Sequence, residues 1–257
     1  MPDTEFHWSS ASCTHVGMVR QVNEDTCLDQ PERGLWAVAD GMGGHTMGDL
    51  ASRMVIESLN QLPPASSLVK FMADARDRLQ TVNRQLRIEA ANRNAYIIGS
   101  TVVALLAQDG YCGYLWAGDS RLYLCRDGRL KRLSRDHSQV EELLSSGALA
   151  GEATLQLAAR NLITRAVGVA DTLELEEEII EVQDGDIFLL CSDGLSNEVD
   201  EQDIRCALLA RDCRQAAETL IDLALQGGGR DNVSAVVIHA EDLYGTEKTV
   251  LNPAVRS

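Results

Sequence analysis

The chain has 257 residues, of which 45% are hydrophobic and 24% charged, values typical of a globular domain and unlike those of a disordered or fibrous chain. Its 39 acidic residues outnumber its 23 basic ones, which gives a formal net charge of −16. Because so acidic a surface repels phosphate backbones and anionic lipid headgroups, we expect neither a nucleic-acid binder nor a membrane-surface binder.

Further features of the sequence bear on where the protein works. The longest uncharged run, residues 94–108, is too short and too polar to span a bilayer. The N-terminus has no basic segment leading into an apolar stretch, so we expect no secretory signal. The 7 cysteines include no Cys-x-x-Cys pair, which predicts reduced thiols and not disulfides or a zinc site. Together these features predict a cytoplasmic protein.

Strands and helices alternate in the first 90 or so residues. Apolar and β-branched runs predict strands at 6–14 and 35–39. Residues 49–62 have a helical pattern that ends at Pro63-Pro64, because proline cannot continue a helix. Apolar residues then recur at spacings of three and four from Leu68 to Leu86, which predicts a long helix with one buried face.

The rest of the chain is rich in short strands joined by Asp-Gly turns, a pattern typical of antiparallel sheets. Helical periodicity predicts two further helices, at 201–210 and 214–225. The elements indicate one α+β domain, residues 1–240, in which helices cover two antiparallel sheets, followed by a C-terminal tail at 241–257. The predicted strands are 100–107, 111–117, 121–126, 129–133, 173–182, 187–191 and 233–239.

Acidic residues stand where several predicted strands leave the core. Carboxylates that meet at the ends of sheets repel one another unless a cation lies between them. Carboxylates are oxygen donors, and the sequence has no cysteine or histidine cluster at metal-binding spacing. This combination favours Mg²⁺ or Mn²⁺. The alternative is that they are scattered turn aspartates, as the other Asp-Gly pairs are. The candidates are Glu24, Asp25, Asp40, Asp119, Asp193 and Asp231.

Two features beside these acids favour phosphate chemistry. Arg20 lies four residues before Glu24, and a guanidinium near a metal cluster is a bidentate clamp for a phosphoryl group. A surface salt bridge is the alternative role for Arg20. Gly41, Met42, Gly43 and Gly44 follow a predicted strand and would let the backbone approach an ion or phosphate. Their spacing does not match a nucleotide-binding glycine signature.

Eight segments of the chain resemble, in the same order, the motifs of the metal-dependent protein serine/threonine phosphatases of the 2C type, the PPM family, and of its bacterial members in particular. The resemblance implies a four-layer α/β/β/α sandwich, in which two antiparallel sheets are flanked by helix pairs and a metal site lies at one end. The segments are GMVRQVNED (17–25), ADGMGGH (39–45), GST (99–101), AGDSR (117–121), RDHS (135–138), LITRAVG (162–168), CSDGL (191–195) and GRDNV (229–233).

The resemblance also implies a role for each acidic candidate. Asp40 resembles the carboxylate that bridges two Mn²⁺ or Mg²⁺ ions, with the carbonyl of Gly41 as a further ligand. The remaining candidate ligands are Asp193 and Asp231 for the first ion, Glu24 and Asp25 for the second, Asp119 for a third and weaker ion, and Asn232 in the last motif.

The implied reaction is hydrolysis of phosphoserine or phosphothreonine in proteins by a water that bridges the two ions. Arg20 matches the phosphate-binding arginine and, with Asp40, Asp193 and Asp231, forms the implied catalytic set. Many eukaryotic members have a histidine directly after the Asp-Gly pair, whereas this chain has methionine there. His45 is therefore a candidate proton donor, with a role at the start of a helix as the alternative.

The resemblance further implies the substrate and the partners. Residues 139–161 correspond to the variable flap beside the site, where substrate choice resides in the family. We expect a monomer that acts on phosphorylated proteins, including the serine/threonine kinase that it opposes, as the stand-alone bacterial forms associated with type VI secretion do. The competing hypotheses are a catalytically inactive module of the same fold that binds phosphoproteins, and a small-molecule phosphatase.

Overall fold

The computed structural model of the chain describes residues 5–43, 47–139, 141, 163–210 and 212–243. Within this part of the chain, every pair of neighbouring strands is antiparallel. The strands are β1 (Phe6–His15), β2 (Asp25–Gln30), β3 (Leu35–Met42), β4 (Gly99–Ser100), β5 (Val102–Gln108), β6 (Tyr111–Ala117), β7 (Arg121–Arg126), β8 (Arg129–Arg132), β9 (Glu176–Glu181), β10 (Ile187–Cys191) and β11 (Val233–Asp242).

The strands form two sheets with helices on their outer faces. The first sheet has the order β1-β11-β10-β7-β8, and the second has the order β2-β3-β5-β6-β9, with β4 beside β3. In chain order the helices are α1 (Met47–Asn60), α2 (Leu68–Asn92), α3 (Asp193–Ser196), α4 (Glu201–Ala210) and α5 (Cys213–Gly227). Helices α1 and α2 pack on the second sheet, and α4 and α5 pack on the first. The predicted α/β/β/α sandwich is confirmed.

Strand β3 places an acidic side chain at the end of the core. Successive side chains of a strand point to opposite faces of the sheet. Leu35 and Ala37 belong to the core beneath α1 and α2, whereas Trp36 and Val38 belong to the core between the two sheets. Asp40 is the next residue in the row of Trp36 and Val38. Its carboxyl group therefore lies at the end of the space between the sheets.

The sequence-based analysis missed strand β2, which it treated as a connection between two early strands. Its sequence, DTCLDQ, carries few apolar residues. Leu28 is nevertheless buried in the core beneath α1, and Cys27 packs against the core between the sheets. Because β2 lies at the edge of its sheet, few of its positions need an apolar side chain.

Several predicted boundaries also differ. Strand β3 runs past the predicted end at 39, because Gly41 and Met42 pair with β4. Strand β11 continues to Asp242, which pairs with Phe6, so the predicted start of the C-terminal tail at 241 is wrong. The tail from residue 244 and the predicted flap at 139–161, apart from residues 139 and 141, lie outside the described residues.

Two further findings concern the cysteines and the helices. All the cysteines are free thiols, and only Cys206 is exposed. None of the described helices is both long and apolar enough to cross a membrane.

Candidate active site

Two carboxylates of the second sheet face each other directly. Asp25 and Asp40 are cross-strand partners at one end of the β2–β3 ladder. Like charges at such positions destabilise a sheet. Asp25 is 7% exposed, and its Oδ1 atom has no hydrogen-bond partner. This end of the sheet therefore holds two acids that repel each other, one of them buried with an unsatisfied oxygen.

The first sheet supplies further acids to the same place. Asp193 begins α3 just after β10, and Asp231 lies just before β11. Because β10 and β11 are antiparallel neighbours, the end of one lies beside the start of the other. Burial, followed by repulsion from Asp231, raises the pKa of Asp193, and a hydrogen-bonding contact with Asp40 of the other sheet opposes this rise. The acids that the sequence identified as candidates thus meet across the two sheets.

Ser192 connects the two sheets beside these acids. Its hydroxyl donates to Asp25 Oδ2 over 2.8 Å and accepts from the backbone N–H of Ser234 over 3.0 Å. Gly194 follows in the same motif, and a Cβ atom there would lie 2.0 Å from the carbonyl oxygen of Asn232. Only glycine allows the start of α3 to approach β11 this closely.

Glu24 and Gly41 fix the start of helix α1 against the site. The Glu24 carboxylate accepts from the N–H of Gly48 over 3.1 Å, which satisfies a free amide in the first turn of α1. The N–H of Gly41 donates to the carbonyl of Glu24 over 3.1 Å. A Cβ atom at Gly41 would lie 2.0 Å from the carbonyl oxygen of Gly48. The Asp-Gly pair of β3 is therefore required for close packing and not for a turn.

Asp119 lies in the connection between β6 and β7, where it is 8% exposed and its Oδ1 atom has no partner. The neighbouring Ser120 shares a hydrogen bond of 2.7 Å with the hydroxyl of Thr101, which also accepts from the N–H of Asp40 over 3.0 Å. His137 accepts from the N–H of Gly118 through Nδ1 over 3.2 Å. The Asp119 turn is thus fixed to the end of β3.

The electrostatics of the site follow from burial and from repulsion among the acids. Removal from water raises the pKa of Asp25 to about 7, and the charges of Asp193 and Asp231 add to the shift. The same cause raises the pKa of Asp119 to about 7, with Asp193 as the main repelling group. The pKa of Asp40 lies well above its usual range, first through burial and then through repulsion by Asp25. Such a group of acids is stabilised by a cation.

The donor atoms fit a hard divalent ion. Asp25, Asp119 and Asp193 each have a buried carboxylate oxygen without a hydrogen-bond partner. Oxygen donors are the ligands that Mg²⁺ and Mn²⁺ prefer. Across the described ranges, however, no three histidine, cysteine or acidic side chains already form a cluster that would hold an ion.

Arg20 lies at the rim of this acidic group. Its Nη2 atom donates to Asp231 Oδ2 over 2.7 Å, with 53% of the arginine side chain exposed. This bond to Asp231 is the main reason that the pKa of Arg20 is raised, and Asp40 and Glu24 add to the shift. The guanidinium is therefore held beside the acids with part of its surface open to a ligand.

The predicted ligand Asn232 forms hydrogen bonds with the loop between β1 and β2. The side chain of Asn232 accepts from the N–H of Glu24 over 2.8 Å and donates to the carbonyls of Val16 and Val22, each over 2.9 Å. These bonds hold the β1–β2 loop against the start of β11, and ion binding by Asn232 stays a prediction. The candidate proton donor His45 lies outside the described residues.

Sequence reasoning missed the hydroxyl residues that support the acids. Ser192 donates to the Asp25 carboxylate, Thr101 accepts from the N–H of Asp40, and Ser120 shares a hydrogen bond with Thr101. The available signal was their position inside the motifs GST, AGDSR and CSDGL, next to or near the candidate acids.

Comparison with known proteins matches this arrangement to one family. The family model described as protein phosphatase 2C matches residues 11–224. The chain belongs to the protein phosphatase 2C family. It is 37% identical over 247 residues to the serine/threonine protein phosphatase PstP of Mycobacterium tuberculosis, an alignment that covers 93% of this chain and 46% of PstP. The chain thus spans about half the length of that relative.

Solved structures of the family are similar over nearly the whole chain. PppA, described as a key regulatory component of T6SS in Pseudomonas aeruginosa, has 46% sequence identity and a TM-score of 0.84, with 91% of this chain and 98% of PppA covered. The catalytic domain of PstP in complex with two manganese ions has 35% identity and a TM-score of 0.80, with 93% and 100% covered. A protein phosphatase 2C fold of this kind therefore accommodates two manganese ions.

Proposed function

We propose that the chain is a metal-dependent protein phosphatase that hydrolyses phosphoserine and phosphothreonine. The observation that carries this proposal is the meeting of Asp25 and Asp40 from one sheet with Asp193 and Asp231 from the other, beside Arg20. Membership of the protein phosphatase 2C family supports it. We place the catalytic domain at residues 1–240, extended to Asp242 because β11 ends there.

The acids would hold the ions in two groups. Asp40 occupies the central position, since its pKa responds to acids of both sheets. Glu24, Asp25 and the Gly41 carbonyl would complete the site on the side of the second sheet. Asp193 and Asp231 would complete it on the side of the first sheet, and Asp119 would bind a third ion more weakly. We infer Mn²⁺ in preference to Mg²⁺, because the related PstP structure contains two manganese ions.

Bound divalent ions supply Lewis acidity, which lowers the pKa of water and neutralises charge on a phosphoryl group. The chain itself positions the substrate. Arg20 exchanges its bond to Asp231 for a bidentate contact with the phosphoryl oxygens, because phosphate matches the guanidinium geometry. Ser192 and Thr101 keep Asp25 and Asp40 in place through their hydroxyl groups. His45 stays a candidate donor of the proton that the leaving serine or threonine oxygen requires.

The proposal is tested by hydrolysis of an aryl phosphate and of a phosphothreonine peptide, with Mn²⁺ and with chelator, for the wild type and for Asp193→Asn. We expect turnover only with metal and a loss of about 100-fold or more in the variant, because a ligand is removed without a change of shape. Asp127→Asn, in another Asp-Gly pair, is the matched control. Undiminished turnover in chelator would contradict the proposal.

The same assay separates the competing functions. An inactive phosphoprotein-binding module would bind the phosphopeptide and turn over neither substrate. A small-molecule phosphatase would hydrolyse sugar phosphates faster than the peptide. The retained acids, with their unpartnered buried oxygens, favour an enzyme over a binding module.

We also infer the setting in which the enzyme works. Its substrates are phosphorylated proteins, among them the serine/threonine kinase that it opposes, and it acts as a cytoplasmic monomer. Its 46% identity with PppA supports a role in the regulation of type VI secretion. Deletion of the gene and comparison of phosphorylated proteins with the parent strain would test the kinase as a substrate.

A further inference from the structure

The loop between β1 and β2 exposes apolar side chains on both sides of Arg20. Met18 is 68% exposed, Val19 is 66% exposed and Val22 is 42% exposed. Single exposed apolar residues are ordinary on protein surfaces, but adjoining ones mark sites of interaction. We call residues 16–24 the rim loop. Its apolar residues lie next to Arg20, the basic side chain of the proposed phosphate site.

The backbone of the rim loop is held in place, so the exposure of these side chains is a fixed property of the surface. Asn232 donates to the carbonyls of Val16 and Val22. The N–H of Met18 donates to the carbonyl of Gly229 over 2.7 Å. At Gly17, where φ is +82°, a Cβ atom would lie 2.2 Å from the carbonyl oxygen of Asp231. The loop is thus preorganised to present its side chains outward.

The rim loop is close in the chain to the side chain that would bind the phosphoryl group. Consecutive Cα atoms are about 3.8 Å apart, so the Cα atoms of Met18 and Val22 lie within about 8 Å of the Cα atom of Arg20. The side chains next to a phosphorylated residue in an extended peptide lie at a similar distance from the phosphate. When Arg20 binds the phosphoryl group, the neighbouring side chains of the substrate reach the rim loop.

We propose that the rim loop is a substrate-binding surface that selects phosphorylated segments with bulky apolar residues next to the phosphoserine or phosphothreonine. This inference rests on the proposed function and names its substrate class. Apolar contact at the rim adds binding energy for such segments, while the phosphate contact of Arg20 is common to all substrates.

The test compares phosphothreonine peptides that carry leucine on both sides of the phosphoresidue with peptides that carry serine there. An aryl phosphate, which has no flanking residues, gives the reference rate. The variant Val19→Ser/Val22→Ser removes apolar surface and leaves the backbone bonds of the loop intact. Val69→Ser is the matched control, since Val69 is 70% exposed and belongs to α2 and not to the rim loop. Thermal unfolding of each variant establishes that it is folded.

We expect wild-type kcat/KM to be about tenfold higher for the leucine peptide, and we expect the double variant to lose most of this preference. Val69→Ser should keep it. The inference is overturned if the double variant retains the preference, or if it loses activity on the aryl phosphate by the same factor as on the leucine peptide. Absence of metal-dependent turnover of every substrate would instead refute the proposed function, so the two failures are distinguishable.

Discussion

At the scale of single residues, the site consists of acids that are unfavourable until a cation joins them. Asp25 lies directly opposite Asp40 in the sheet, and burial raises the pKa of Asp25 to about 7. Ser192 donates a hydrogen bond to Oδ2 of Asp25, whereas Oδ1 has no hydrogen-bond partner. Removing this charge should therefore stabilise the metal-free fold while it destroys the metal site.

The first prediction concerns Asp25→Asn. Asparagine keeps the shape and still accepts from Ser192, but it carries no charge to bury or to oppose Asp40. We expect the metal-free variant at pH 8 to be more stable than wild type by on the order of 2 kcal/mol, as measured by urea unfolding. Asp127→Asn should change stability by less than about 0.5 kcal/mol. A variant less stable than wild type would show that the buried charge of Asp25 does not destabilise the metal-free fold.

At the scale of elements, the site depends on segments that are joined by buried side chains. Asn232, at the start of β11, holds both ends of the loop that carries Arg20 and Glu24. Asn83 of α2 is a comparable buried amide elsewhere in the fold. It accepts from the N–H of Gly168 over 2.6 Å and donates to the carbonyl of Ala170 over 2.9 Å.

The second prediction compares Asn232→Ala with Asn83→Ala. Each substitution leaves backbone groups without partners, so we expect each to lower the free energy of unfolding by about 1 to 3 kcal/mol. Only Asn232→Ala should also raise the KM for phosphopeptide and the Mn²⁺ concentration for half activation. Calorimetry and steady-state kinetics measure these effects. Equal kinetic effects of the two variants would mean that Asn232 acts only through stability.

The elements were predictable to different degrees. The apolar stripe of α2 is visible in the sequence because the helix buries one continuous face, including Leu79 and Leu86. Strand β2 was missed because it lies at a sheet edge and its sequence is mostly polar. Helix α3 was missed because its 4 residues are too few to show a helical period.

At the scale of the whole molecule, proton binding and folding are linked through the site. The ordinary pKa of an aspartate is 3.8, whereas Asp25 and Asp119 have values of about 7 in the fold. Between these values the folded state binds more protons than the unfolded state. The free energy of unfolding therefore falls as pH rises from about 4 to about 7. Above about pH 7 the contribution of these two protonated acids to stability is lost.

The third prediction follows from this linkage. In chelator, the wild-type melting temperature should fall as pH rises from 5 to 8. The variant Asp25→Asn/Asp119→Asn, in which both acids are neutral, should show a smaller fall over the same range. Mn²⁺ should raise the wild-type melting temperature more at pH 8 than at pH 5, because protons compete with the ion for the carboxylates. Scanning calorimetry at the two pH values measures both effects. A stabilisation by Mn²⁺ that is independent of pH would contradict the linkage.

The sequence by itself determined the class of fold, the family resemblance and the acidic candidates for the site. Helical and strand periodicity are local properties, and the motifs keep their order along the chain. Only the tertiary structure decided that Asp25 faces Asp40, that Ser192 bonds to Asp25 from the other sheet, and that Asn232 supports the loop between β1 and β2. These contacts join residues far apart in the chain, and they depend on strand register and on the packing of two sheets, which no local pattern encodes.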